Sequence, residues 1–227
     1  SDVYKRQYYS GLPRGLTSGV DALNTKTLGW SSSYYYYHNS VYRGNGSAHI
    51  SGLRTAIATG SNWQYSNSRS SVASLVKTSF TVLPPPPSLP PLPPPLPPAP
   101  PQPPNDPPLP PLVPGDCMVV AALSSTPDAF SIVLLSTLGK GQSIAVTDMG
   151  WLPEAEAFYS SSESSSEAFS IVHTASDDEP PGRVLTQADF SGGTLSLDGQ
   201  DQLLVYQGSL RNPTFLCAFD WSGYDWQ

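Results

Sequence analysis

The side chains best suited to hold a ligand in this chain are aspartates at the ends of apolar runs: Asp116, Asp128, Asp148, Asp198 and Asp201. Three adjacent acids, Asp177, Asp178 and Glu179, add to them. Hard cations take several carboxylate and carbonyl oxygens from loops, which makes Asp116, Asp128, Asp148 and Asp201 the calcium candidates. None falls in an Asp-x-Asp-x-Asp-Gly spacing, and aspartate capping a turn explains them more economically. The histidines are His38, His49 and His173. Nucleophilic catalysis needs a base beside the nucleophile and a third group to orient it, and no histidine stands in such a pattern. His173 lies in a strand-like run and is expected to face solvent. GxSxG, HExxH, P-loop and CxxC motifs are lacking, so the expectation is a non-enzymatic chain without catalytic or cofactor-binding residues.

Three other groups carry chemistry. Cys117 and Cys217 are the only cysteines, too few for a disulfide framework. Two readings stay open. A bridge closing about a hundred residues would contribute up to about 4.7 kcal/mol by the chain-entropy argument, whereas free buried cysteine is equally ordinary. Asn45, in Asn-Gly-Ser, is the glycosylation candidate if the chain is secreted. Trp30, Tyr34 to Tyr37 and Tyr42 could stack on sugar rings, although packing in a sheet accounts for them more simply.

The elements that would position these groups divide at a proline tract. Twenty of the 26 prolines fall between Pro84 and Pro114. Proline fixes φ near the polyproline II value and lacks an amide hydrogen, so residues 84–114 read as an extended linker. At about 3.1 Å per residue it would reach roughly 90 to 100 Å. Charge divides at the same place: residues 8–83 carry six basic side chains against Asp21 alone, a net of +5, while residues 115–227 carry three against fifteen acids, a net of −12. The six positive charges are dispersed, which argues against nucleic acid. No apolar run reaches eighteen residues, so no membrane span is expected.

After the tract, short apolar runs alternate with turn residues in an all-β pattern. Strands are expected at 117–123, 129–135, 143–148, 168–175, 193–198, 202–207 and 214–221, and residues 159–167 as a polar loop. In the last run Phe215, Cys217 and Phe219 share a face by the two-residue period. Before the tract, Ile50, Leu53 and Ile57 have helical spacing with Gly60 beyond, so one short helix is expected. Residues 28–42 read as extended and 71–83 as a terminal strand. Residues 8–83 have little apolar mass for a core of their own.

The order of these pieces carries a resemblance. Gly115-Asp116, PDAFSIVLL (127–135), the corner GQSIAVTDMGW (141–151), LSLDGQDQLLVYQG (195–208) and PTFLCAFDW (213–221) resemble the opening of a β-sandwich repeat of large secreted and surface proteins. The layout is similar to lamin-tail-like, Ig-like domains. Met149 stands where such repeats have a small polar turn residue, and Cys117 and Cys217 where they have aliphatic ones. The continuation of that repeat resembles GLPRGLTSGVDAL (11–23), HNSVYRG (38–44) and LRTAIATGSNW (53–63), here at the opposite end. The resemblance implies that 8–83 is the C-terminal half of one repeat and 115–227 the truncated N-terminal half of the next. The two halves, complementary in charge, would dock as a circularly permuted domain. Ser1 to Gln7 can be encoded by TCAGATGTGTATAAGAGACAG, which looks like the transposase mosaic end of sequencing libraries, so residues 1–7 are read as a translated adapter and the chain as a fragment.

The proline tract is similar to spacers of plant and algal wall glycoproteins, which implies hydroxylation and arabinosylation. It also fits the ligands of SH3, WW or profilin-type domains. Such ligands carry a flanking Arg or Lys, and none occurs from Thr78 through Gly139, which favours the stalk. The sequence therefore reads as a structural, adhesive or display segment of an extracellular or cell-surface modular protein, with cell-wall or matrix polysaccharide or glycoprotein as its partner. The alternatives are an accessory region of an extracellular hydrolase and a cytosolic scaffold.

Overall fold

The computed structural model describes residues 12–24, 39–84, 108–124, 127–158, 170–193, 195–197 and 201–221. In chain order the first segment gives β1 (Ala22–Asn24), β2 (Asn39–Tyr42), β3 (Ser47–Ala48), α1 (Ile50–Ile57), β4 (Trp63–Ser66), α2 (Ser70–Ala73) and β5 (Thr81–Val82). The second gives β6 (Cys117–Leu123), β7 (Ala129–Leu134), β8 (Ser143–Thr147), β9 (Trp151–Leu152), β10 (Ala157–Phe158) and β11 (Ser170–Thr174). It continues with β12 (Val184–Thr186), β13 (Ser191–Gly192), β14 (Gln202–Ser209) and β15 (Asn212–Asp220). The described chain is mostly β-sheet with two short α-helices.

Strands from both sides of the proline tract lie in both main sheets. One sheet runs β1-β15-β14-β8-β11-β13 and the other β12-β7-β6-β2-β4. β1 adds in parallel to β15, with Ala22 opposite Ala218, and β2 adds antiparallel to β6, with Asn39 opposite Leu123 and Val41 opposite Ala121. β3 and β5 pair in parallel, and β9 pairs with β10.

The two sheets share one core. Tyr42, Phe130, Ile132 and Leu134 come to it from one sheet, Ile144, Val146, Leu203, Val205, Cys217 and Phe219 from the other, and Leu53 and Ile57 from α1. Trp63, next to α1, stacks on Phe219 with ring centroids 5.0 Å apart and planes 12° apart, and its indole N–H donates to the Ile57 carbonyl at 2.6 Å. Fully burying side chains of this size is worth about 1.5 to 3 kcal/mol each. Residues of the first segment thus lie in one core with those of the second. Tyr42 is a core residue too: its ring meets Trp63 and Phe80, and its hydroxyl donates to the Asn45 carbonyl at 2.8 Å.

Several expectations need correction. A second helix, α2, replaces the start of the strand expected over 71–83, leaving only β5. Val72 of α2 covers Val41, Ala121 and Leu123 on the outer face of the second sheet, so this short stretch serves as a lid on that sheet. No strand forms at 195–197; the edge pairing falls to β13 instead. Phe215 does not share a face with Cys217 and Phe219. The register shifts so that Val205 faces Cys217 while Tyr206 faces Phe215, leaving Leu216 as a bulged extra residue. Leu216 then joins the central core, and Phe215 turns outward to Trp151, Phe158 and Tyr206. The last part of the tract, expected to be spacer, packs on the body: Leu112 is buried and its N–H donates to Gln207 Oε1 at 2.9 Å. Gln142 Nε2 donates to the carbonyls of Leu109 and Pro110 at 2.8 and 3.0 Å. Residues 1–7, 28–38, 85–107 and 159–167, with their expected adapter, tyrosine run, spacer and loop, lie outside the described residues.

One glycine fixes where the first segment ends. Gly182 has φ +91°, and a Cβ there would lie 2.1 Å from the Phe80 carbonyl oxygen. The Phe80 N–H donates to the Gly182 carbonyl at 2.8 Å, so the two backbones touch. Leu53 is wholly buried in the shared core. Leu53→Ala is expected to destabilise the entire chain by about 2 to 5 kcal/mol, seen in urea as one shifted, single transition with β6 and β15 unfolding in step. A transition of the second segment that ignores the substitution would show that the halves fold separately.

Candidate functional site

Among the described residues, His173, Glu179, Arg183 and Asp189 gather where β11 leaves its sheet and the chain crosses to β12. The sequence alternation permits either face of β11 inward, and the structure points Ile171 and His173 in and leaves Val172 38% exposed. His173, expected at the surface, is 8% exposed. Its Nδ1 faces the Asp189 carbonyl oxygen and its Nε2 faces Glu179 Oε1, each at 2.9 Å. Which ring nitrogen donates depends on the tautomer. Glu179 Oε1 also receives Arg183 Nη1 at 2.9 Å, and Arg183 Nη2 lies 3.5 Å from Asp189 Oδ1. Glu179 Oε2 is buried without a hydrogen bond among the described residues.

Asp189 closes this group by capping the turn that follows β12. Its Oδ2 accepts the Thr186 N–H at 2.7 Å and the Thr186 hydroxyl at 2.9 Å, a capping box. Burial pushes the Asp189 carboxyl up, but the two Thr186 bonds and the charges of Arg183 and His173 outweigh it and hold the group below the usual carboxylate value. Chemically this is a brace. Both ring nitrogens of His173 face internal partners, and the network ties β11, the 175–183 crossing and the β12 turn together. In the sequence Glu179 stands only as one of three adjacent acids, and no spacing links it, Arg183 or Asp189 to His173.

The calcium candidates do not converge. Asp116 accepts the Val113 N–H at 2.7 Å and the Ser136 hydroxyl at 2.7 Å, and lies 3.6 Å from Arg54 of the first segment. Asp148 accepts the Ser196 N–H and Asp128 the Leu197 N–H, each at 2.9 Å. The Asp201 carboxylate accepts the Gln202 N–H at 2.9 Å, and Asp198 lies outside the described residues. The three adjacent acids diverge: Asp177 lies 3.3 Å from Lys140 Nζ, Asp178 accepts the Lys140 N–H at 2.8 Å, and Glu179 is buried. Among the described residues no three His, Cys, Asp or Glu side chains gather as a metal cage. The Asp21 carboxyl is held above its usual value, because burial outweighs its bonds to the 17–22 turn and the charge of Arg54.

Asn45 is exposed at the turn after β2, and its carboxamide oxygen accepts the Ser47 N–H at 3.0 Å. Cys117 and Cys217 are buried free thiols on facing strands, one in each sheet. His49 bonds the Leu83 carbonyl at 3.1 Å, and His38 lies outside the described residues. No described helix is long and apolar enough to cross a membrane.

Because the folded state holds the Asp189 carboxyl low, its contribution is present above the unfolded-state value near pH 4 and is lost as pH falls through the folded value. Asp189→Ala is expected to lower unfolding free energy by about 1 kcal/mol at pH 7, with the difference from wild type shrinking under acid. Urea titrations at several pH values check this; a difference that grows as pH falls would contradict it.

No protein family, curated protein or solved structure matches this chain.

Proposed function

We propose that this chain is a non-catalytic structural, adhesive or display segment of a secreted or surface modular protein. In this reading it is a lamin-tail-like, Ig-like β-sandwich assembled from two half-repeats that flank a polyproline II stalk. The observation that carries the proposal is the use of its ionisable groups. His173, Glu179, Arg183 and Asp189 brace one crossing, and Asp116, Asp128 and Asp148 clamp loop amides. A fold that commits its reactive side chains to its own loops suits a module that holds position.

The pairing of strands across the tract supports the permuted-domain reading, as do the ion pairs Arg14–Glu156 at 2.9 Å and Arg54–Asp116 at 3.6 Å. The exposed pair contributes little to stability, but net charges of opposite sign favour encounter of the halves. The proposed partner is cell-wall or matrix polysaccharide or glycoprotein.

Mass spectrometry of the protein taken from its native cells tests this reading. Hydroxyproline with attached pentose across residues 84–114, and an N-glycan on Asn45, are the expected result. Unmodified prolines in a chain that captures SH3, WW or profilin-type domains would contradict it and make the protein a scaffold.

A further inference from the structure

We propose that Cys117 and Cys217 form a disulfide that staples the two sheets together. Cys117 opens β6 in one sheet and Cys217 lies within β15 in the other, so the pair spans the core rather than a sheet edge. Their sulfurs are 2.8 Å apart, both side chains are fully buried, and they are 100 positions apart in the chain. A disulfide has an S–S length near 2.05 Å, so closing the bond needs a movement of about 0.8 Å, within the adjustment of two side chains. The core around them is apolar, and both belong to the same cluster as Val205, Leu216 and Phe219.

The reaction is thiol–disulfide exchange with a disulfide donor, either a small molecule such as oxidised glutathione or an oxidoreductase of the secretory route. One cysteine thiolate attacks the donor, releasing one thiol and leaving a mixed disulfide. The second cysteine thiolate then attacks that mixed disulfide at the protein sulfur, releasing the second thiol. Two thiols of the chain lose two protons and two electrons, the donor gains both, and one S–S bond is made for one broken.

The timing follows from burial. In the folded state burial, and then the neighbouring Cys117, push the Cys217 thiol well above its ordinary value, so it is a poor nucleophile once the sheets have closed. The bond therefore forms while β6 and β15 are still open to solvent. Once made, it sits where a reductant cannot reach it without unfolding. It would hold residues 117–217 in the shape that receives β1 and β2, and a mixed disulfide on either cysteine would block that closure.

The inference does not rest on the surface location, because the test supplies its own donor. The full chain is refolded in a glutathione redox buffer, alkylated in denaturant without added reductant, and weighed intact. The expected product is a monomer that takes up no alkyl group and is two hydrogens lighter than the reduced chain, which takes up two. Uptake of two alkyl groups without reductant, a stable glutathione adduct or a covalent dimer would each overturn the proposal. As a second readout, reductant under denaturing then refolding conditions is expected to lower the Tm by roughly 10 °C, and the Cys117→Ala/Cys217→Ala chain is expected to be indifferent to the redox buffer. A wild-type Tm equally indifferent to it would also count against the bond.

Discussion

Strand β6 is buried at every position, so the polar backbone groups along both of its edges need strand or other internal partners rather than water. β7 supplies one edge from the same segment. Along Ala121–Leu123 the other edge is supplied by β2, which precedes the proline tract. The pairing of β2 with β6 therefore decides the rest. It places Tyr42 in the core, sets β4 and Trp63 beside Phe219, and gives α1 a surface on which to bury Leu53 and Ile57. At the opposite sheet β1 does the same for β15, with the Ala218 N–H donating to the Asp21 carbonyl at 3.0 Å. Without the first segment both sheets would present open apolar edges, a condition that invites association with other chains.

Much of the second segment was legible because hydrophobic patterning reports burial directly: continuous apolar runs bounded by turn residues mark strands buried on both faces. The runs at 117–123, 129–135 and 143–148 became β6, β7 and β8 with a shift of at most one residue at an end. The helix at Ile50–Ile57 was legible for the same reason at the helical period. What escaped was set by contacts distant in sequence. The bulge at Leu216 depends on the neighbouring strand, so nothing within PTFLCAFDW announces that Phe215 faces away from Cys217. The inward turn of His173 depends on Glu179 and on the Asp189 carbonyl, groups that become its neighbours only once the 175–183 crossing is folded. Residues 71–83 looked strand-like by composition, yet Val72 is worth more as a cover over Val41 and Ala121 than as a strand residue.

Of the candidate site, His173 and Glu179 were noticed in the sequence, Arg183 and Asp189 were not, and the arrangement was illegible. Aspartates at strand ends were visible, and the structure assigns each described one to a nearby amide, a role that needs no metal. The histidine, arginine and acid network could not be read from spacing, because its members come from one strand, one crossing and one turn. Such buried charge is tolerated where partners are close and hydrogen-bonded, and removal of one partner leaves the other uncompensated. The network is thus an account of why the chain crosses between sheets at this point, and Gly182 within that crossing lets the Phe80 backbone close against it.

Hydrogen exchange of the intact chain measures the central claim most directly, because it compares segments within one molecule. If 12–84 and 115–221 are one cooperative unit, the amides of β2 at Ser40 and Val41 will exchange only through the same global opening as those of β6 at Ala121 and Ala122. Free energies of opening that agree across the proline tract are the predicted result. Fast exchange in β2 beside protected β6 would contradict the account, leaving the second segment to stand without the strands assigned to it here.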